Sequence, residues 1–337
     1  MTLEAHHIHH QKDKPSATPT DIERAVELLA AGKLVAFPTE TVYGLGADAS
    51  NVNAVTQIFA VKGRPANHPV IVHLASPDQL AGWASSLSPE AKNLVDAFMP
   101  GPLTMIVNRQ SHVLDAVTGG QDSVGLRVPN HPVAQKLLEI FGGGVAAPSA
   151  NRFGHISPTT AAHVRAEFAG DARVTQILAG GPCEVGLEST IVDVRGGRIR
   201  LLRPGGITLE QLREVLGYEP EQARKNIPRA SGMLERHYAP TTPTQLLDAD
   251  ELDDLLSTST KSFAVISRRA CPPQFEGKHT WRQLADDPQQ YGRQLYAILR
   301  ELDTLGQAGE VEGILLEQVP DTPAWLAVRD RLTRASA

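Results

Sequence analysis

Apolar residues recur along this chain in two alternating rhythms, short unbroken runs and helical stripes, which predicts strands interleaved with helices. Ile22, Ala25, Val26 and Leu29 share one helical face, with Thr20 placed to cap its start and Gly32 to close its end. Leu34–Phe37 follows as an apolar strand ended by Pro38, and Val52, Val55, Ile58 and Phe59 mark a second amphipathic helix. Residues 70–74 read as a buried strand. Ser88-Pro89-Glu90 combines a cap, a proline at the first helical position and an acid in the first turn, so a helix starts there. Pro100-Gly101-Pro102 breaks the chain before a strand at 103–107. Residues 124–128 and 145–147 are further strands, separated by a helix at Pro132–Phe141. Ser157-Pro158-Thr159-Thr160 opens another helix, and 174–178 is another strand. Residues 191–194 and 199–202, joined by Arg195-Gly196-Gly197-Arg198, form a hairpin. Thr208 with Gln211 makes a capping box for a helix ending near Leu216. The expectation is an α/β domain with a mixed sheet.

Residues 218–243 change character, with four prolines and no apolar period. Met233, Leu234 and Tyr238 nevertheless need cover, so this stretch reads as an ordered linker folded over the first domain as a lid. Beyond it, strands at 245–247, 263–266 and 313–316 alternate with helices at 250–256, 289–305 and 323–332. That spacing predicts a small Rossmann-like α/β domain without a glycine-rich phosphate turn. The organisation expected is a tail at 1–15, a first domain at 16–217, the linker at 218–243 and a C-terminal domain at 244–337.

Length supports this division, because 337 residues exceed what one core usually serves. No run of about 18 apolar residues exists, so no membrane span is expected. Cys183 and Cys271 stand far apart, which fits a reducing cytoplasm. The net charge of −6 argues against a broadly basic nucleic-acid coat but leaves room for a local cationic pocket. His6, His7, His9 and His10 lie in the polar tail, which is set aside from the fold.

Candidate chemistry concentrates between Pro38 and Leu74. Thr39-Glu40-Thr41 is a hydroxyl-rich turn, and Lys62-Gly63-Arg64-Pro65 places two cations at a helix end, where they could serve the helix or converge on phosphate. Gly44-Leu45-Gly46 mimics a dinucleotide fingerprint but stands too far from the strand before it. Ser149-Ala150-Asn151 follows a buried strand, on the side where α/β sheets bind ligands. Arg127 interrupts an apolar run, and a buried arginine needs a partner, for which a ligand carboxylate would serve. No cysteine cluster or HExxH suggests a resident metal site.

PTETVYGLG, KGRP, APSANR, PCEVGLESTIVD, LLRPGGIT and HYAP together resemble the YrdC-like threonylcarbamoyl-adenylate synthases, in particular their longer two-domain Sua-type branch. The match is dense from Gly32 to Gly206 and returns at 231–240. It implies a twisted mixed-sheet domain with a large concave pocket, and a nucleotidyl transfer that makes threonylcarbamoyl-AMP and pyrophosphate from L-threonine, bicarbonate or CO2, and ATP. It assigns Lys62 and Arg64 to the transferring phosphates. On the nucleotide side it places Arg64, His68, Ser123, Ala147, Ser149, Ser157, Arg203 and Tyr238. Thr41, His73, Arg127 and Ser189 fall to threonine. His68 stands where the family commonly has asparagine. Mg²⁺ is expected with ATP, and the downstream partner is the tRNA threonylcarbamoyl transferase machinery, with tRNA itself a further candidate. Two other readings stay open: a non-catalytic RNA-binding module using Lys62, Arg64, Arg127, Arg152 and Arg203, and carbamoyl transfer to another acceptor.

Overall fold

In the computed structural model, residues 16–222 and 238–337 are described. The chain opens with α1 (Pro19–Ala30), β1 (Leu34–Phe37), β2 (Gly44–Asp48), α2 (Val52–Lys62) and β3 (Ile71–His73). It continues through α3 (Pro89–Phe98), β4 (Leu103–Asn108), α4 (Asp115–Thr118), β5 (Ser123–Arg127), α5 (Pro132–Phe141), β6 (Val145–Ala146) and α6 (Ala161–Glu167). β7 (Val174–Ile177), β8 (Thr190–Asp193), β9 (Arg200–Arg203), α7 (Leu209–Leu216) and β10 (Glu221–Gln222) complete this part.

Its strands form one sheet in the order β10-β9-β8-β4-β5-β3-β6-β2-β1-β7. β3–β5 and β4–β8 are parallel while β8–β9 and β2–β6 are antiparallel, so the sheet is mixed, as the hairpin at 191–202 required. Strand alternation sends Leu34 and Ala36 into one core with α2, α3 and α7, and Val35 and Phe37 into another with α1 and α5. Ile71, Ile106, Ile191 and Leu202, on β3, β4, β8 and β9, form a smaller buried apolar cluster of their own.

Two local readings need correction. The cap of α1 is Thr18, because Pro19 takes the first helical position and the Thr18 hydroxyl then reaches the Asp21 amide at 3.2 Å. The helix expected from Ser157 starts only at Ala161, capped by Thr160, since the Pro158 carbonyl accepts instead from the Tyr43 amide at 2.9 Å. The glycine-rich stretch 44–48 is a strand. Gly46 has no room for a side chain: a Cβ would stand 2.8 Å from the Phe37 ring and 3.1 Å from the Val35 carbonyl.

After the linker come β11 (Thr244–Leu247), α8 (Ala249–Thr258), β12 (Ala264–Ser267), β13 (Thr280–Gln283), α9 (Pro288–Gln307), β14 (Ile314–Glu317) and α10 (Leu326–Ala335). Their sheet is wholly parallel, in the order β11-β14-β12-β13. The apolar core under it does not stop at its own residues. Val42, Ile156 and Leu187 from the first part join Tyr238, Tyr291, Tyr296 and Leu299 in one buried cluster.

Candidate active site

β3 and β5 run parallel in a register that sets His73 beside Arg127. Both side chains are buried on the concave face. The Arg127 guanidinium meets the Glu40 carboxylate at 2.8 Å, so the partner this arginine requires is already present in the protein. Glu40 lies in the turn between β1 and β2, where the Thr39 hydroxyl donates to the Val42 carbonyl at 2.6 Å and the Glu40 carbonyl accepts from the Val185 amide. The Arg127 Nε has no hydrogen-bond acceptor, nor has His73 Nδ1 a partner. Burial and the neighbouring Arg127 push His73 down to about 3, which keeps its imidazole neutral.

α2 ends at Lys62, and Gly63 adopts the left-handed conformation that caps it and redirects the chain. Arg64 therefore turns into the cavity, with Nη2 donating to the Pro69 carbonyl at 2.7 Å. Burial lowers it to about 10, leaving it charged at neutral pH. Lys62 goes elsewhere. Its ammonium donates to the Ser149 carbonyl at 2.6 Å and to that of Asn151, bracing the loop after β6 rather than facing the cavity. That loop is also tied to β2 by the Leu45 amide on the Pro148 carbonyl and the Ala150 amide on the Tyr43 carbonyl, both at 2.8 Å.

Arg203, at the end of β9, donates to the Ser189 carbonyl at 2.8 Å and to its hydroxyl at 3.1 Å. The Ser189 hydroxyl also bonds that of Thr104 at 2.7 Å. Tyr238 closes the wall. It is 1% exposed and has a φ of 62°, a left-handed backbone that an aromatic residue seldom adopts outside functional sites.

These groups line one cavity. Among the described residues, three buried arginines line it, Arg64, Arg127 and Arg203, against one carboxylate, Glu188. Thr41, His73 and Ser189 line it from the proposed threonine set, and Ala147, Ser149 and Tyr238 from the nucleotide set. Four expected residues do not. Lys62 holds the loop; Ser157 sits just behind the wall, donating to Glu188 at 2.6 Å. His68 packs edge-on against Phe153, with ring centres 5.6 Å apart. Ser123 begins β5, four residues and roughly 13 Å from Arg127 along the strand.

Glu40 and Glu188 were not singled out from the sequence, nor were Arg331 and Tyr296, which reach Glu188 from the C-terminal sheet's helices. Arg331 carried a readable signal: it shares the buried stripe of α10 with Val328, Leu332 and Ala335. Met233 and Leu234, on which the lid expectation rested, lie outside the described residues. Among the described residues no group of three or more His, Cys, Asp or Glu is arranged to hold a metal.

Comparison with known proteins bears on this geometry. Residues 27–205 match the family described as "Telomere recombination", and 207–337 match "Threonylcarbamoyl-AMP synthase, C-terminal domain". A threonylcarbamoyl-AMP synthase of Pyrococcus abyssi is 39% identical over 329 residues, covering 94% of both chains. One of Bacillus subtilis is 37% identical over 340 residues, covering 96% of this chain and 95% of its own. A crystal structure of P. abyssi Sua5 complexed with L-threonine superposes with a TM-score of 0.83 at 37% identity, covering 94% of each chain.

Proposed function

The chain belongs to the threonylcarbamoyl-AMP synthase family, and on that basis we propose that it makes threonylcarbamoyl-AMP and pyrophosphate from L-threonine, bicarbonate or CO2, and ATP. The observation that carries the reading is the convergence of Arg64, Arg127 and Arg203 on one cavity, each less than 9% exposed. Buried cations need anions, and a triphosphate together with an amino-acid carboxylate supplies them. The same burial speaks against the RNA-binding alternative, because arginines this enclosed cannot reach a polymer backbone.

Arg127 would take the threonine carboxylate through the guanidinium edge that Glu40 leaves without hydrogen bonds, beside Thr41, His73 and Ser189. Arg64 and Arg203 would face the nucleotide, with Lys62 holding the Ser149 loop against it. The deprotonated threonine amine attacks CO2, forming an N–C bond and a carbamate as one proton leaves. A carbamate oxygen then attacks the α-phosphorus, a P–O bond to the β-phosphate breaks, and pyrophosphate departs with that electron pair. The protein needs to supply position and positive charge rather than a nucleophile. His73 is too weak a base to take the amine proton and acts as a neutral hydrogen-bonding neighbour.

Mg²⁺ would enter as part of the ATP substrate, because both Glu188 oxygens already accept hydrogen bonds from protein groups. The product is a labile mixed anhydride, suited to a tRNA threonylcarbamoyl transferase in the cytoplasm. Pyrophosphate release that needs threonine and bicarbonate together tests the assignment, and release indifferent to threonine would overturn it.

A further inference from the structure

Glu188, the one carboxylate lining the cavity among the described residues, is held largely by the C-terminal domain. Its Oε1 accepts from the Ser157 hydroxyl at 2.6 Å. Its Oε2 accepts from the Tyr296 hydroxyl on α9 at 2.9 Å and from Arg331 Nε on α10 at 2.7 Å. Arg331 is 0% exposed; it also donates to the Pro204 carbonyl at 3.1 Å, and its guanidinium lies 5.2 Å from the centre of the Tyr238 ring. The backbone on either side of Glu188 is gripped as well. Gly186, at a φ of 74°, lies so near α9 that a Cβ would stand 2.5 Å from Arg293. On the opposite side, a Cβ on Gly205 would stand 2.4 Å from the Glu188 carbonyl.

The segment 186–190 is thus clamped between α9 and the turn after β9, and it carries Ser189 into the cavity. We infer that the C-terminal domain is a working part of the pocket: Arg331 and Tyr296 are positioning residues that, through Glu188, set Ser189 for the substrates. A tether or solubility appendage would have no use for a fully buried arginine bonded to a carboxylate of the other domain's active-site wall. Such a pair also carries a desolvation cost that an apolar contact would avoid. Burial would raise the Glu188 carboxyl, yet Arg331 and then Arg203 hold it down at about 2, so it stays ionised.

This inference rests on the function proposed above. The test uses the full chain and four variants: Arg331→Met, Glu188→Gln, the two combined, and Tyr296→Phe. Pyrophosphate release is followed with threonine and ATP varied separately, and calorimetry gives the affinity for each. Each of the Arg331→Met and Glu188→Gln changes should raise KM for threonine by about 10-fold or more, since each breaks the buried pair that holds the segment, leaving Glu188 to Arg203 or Arg331 to Asp330. The double variant should be less impaired than Arg331→Met by about 10-fold, because groups in contact couple. Tyr296→Phe keeps the ring and should shift the same KM several-fold. A merely stabilising role would lower the melting temperature and the active fraction while KM stays put, and additive losses in the double variant would equally overturn the inference. Should Arg331→Met fail to fold, unchanged KM and affinity in both Tyr296→Phe and Glu188→Gln would decide against it. A parent chain that binds threonine and ATP without releasing pyrophosphate refutes the function, and the affinities then decide the coupling. A chain that binds neither refutes both.

Discussion

Replacing Arg127 with glutamine separates recognition from stability most clearly. The guanidinium is 2.8 Å from Glu40, and both side chains are almost fully buried. Two unit charges at that distance attract by about 6 kcal/mol at an effective dielectric of 20, much of it offset by desolvation. Removing one partner leaves Glu40 buried and uncompensated, so Arg127→Gln should cost about 3–5 kcal/mol of folding stability. Threonine loses a charge-assisted hydrogen bond of about 1.5–3 kcal/mol, a weakening of roughly 10- to 150-fold. Adding Glu40→Gln relieves the orphaned charge. The double variant should therefore regain most of the stability in a thermal melt and still bind threonine poorly by calorimetry. ATP affinity should change only a few-fold throughout. Equal losses for threonine and ATP, or recovery of threonine binding in the double variant, would refute a recognition role for Arg127.

Arg64→Ala should cut turnover by about 10²-fold with the fold kept, as loss of a charge clamp does. Lys62→Ala should do the same and also speed hydrogen exchange in 149–151, where its ammonium holds the Ser149 and Asn151 carbonyls; near-normal product formation in both variants would remove the phosphate role of Arg64 and the loop-holding role of Lys62. Burial and Arg127 keep His73 at about 3, and burial and Arg300 keep His163 at about 4, so the unfolded chain binds their protons first as pH falls below 6.5. Stability should drop between pH 6.5 and 5 by up to ~1.4 kcal/mol per pH unit for each histidine. His73→Gln should flatten that slope in thermal melts, and an unchanged slope would mean that His73 does not titrate on unfolding.

Most elements could be read from the chain because their apolar periods and end signals agreed. Ser88-Pro89 and the Thr208–Gln211 capping box start helices where expected. β2 escaped notice because its glycines serve close packing against Phe37 and show no strand-like alternation. β13, with the sequence TWRQ and no fully buried residue, has no apolar period either. Arg127 was visible as a charge inside an apolar strand, but its partner was not. Sheet order alone brings Glu40 to it across the chain, and local periodicity carries no information about sheet order. The same holds for Glu188 and Arg331, more distant still in sequence. Lys62 was correctly seen at a helix end, yet its direction depends on where the loop after β6 lies, a tertiary fact.

The most direct test of the central claim is pyrophosphate release by the full chain with ATP and Mg²⁺, omitting L-threonine and bicarbonate in turn. A synthase of threonylcarbamoyl-AMP releases pyrophosphate only when both are present, in step with an adenylate that contains threonine and one carbonyl carbon from bicarbonate. Pyrophosphate released at the same rate without threonine, or turnover yielding no threonine-containing adenylate, would contradict the account.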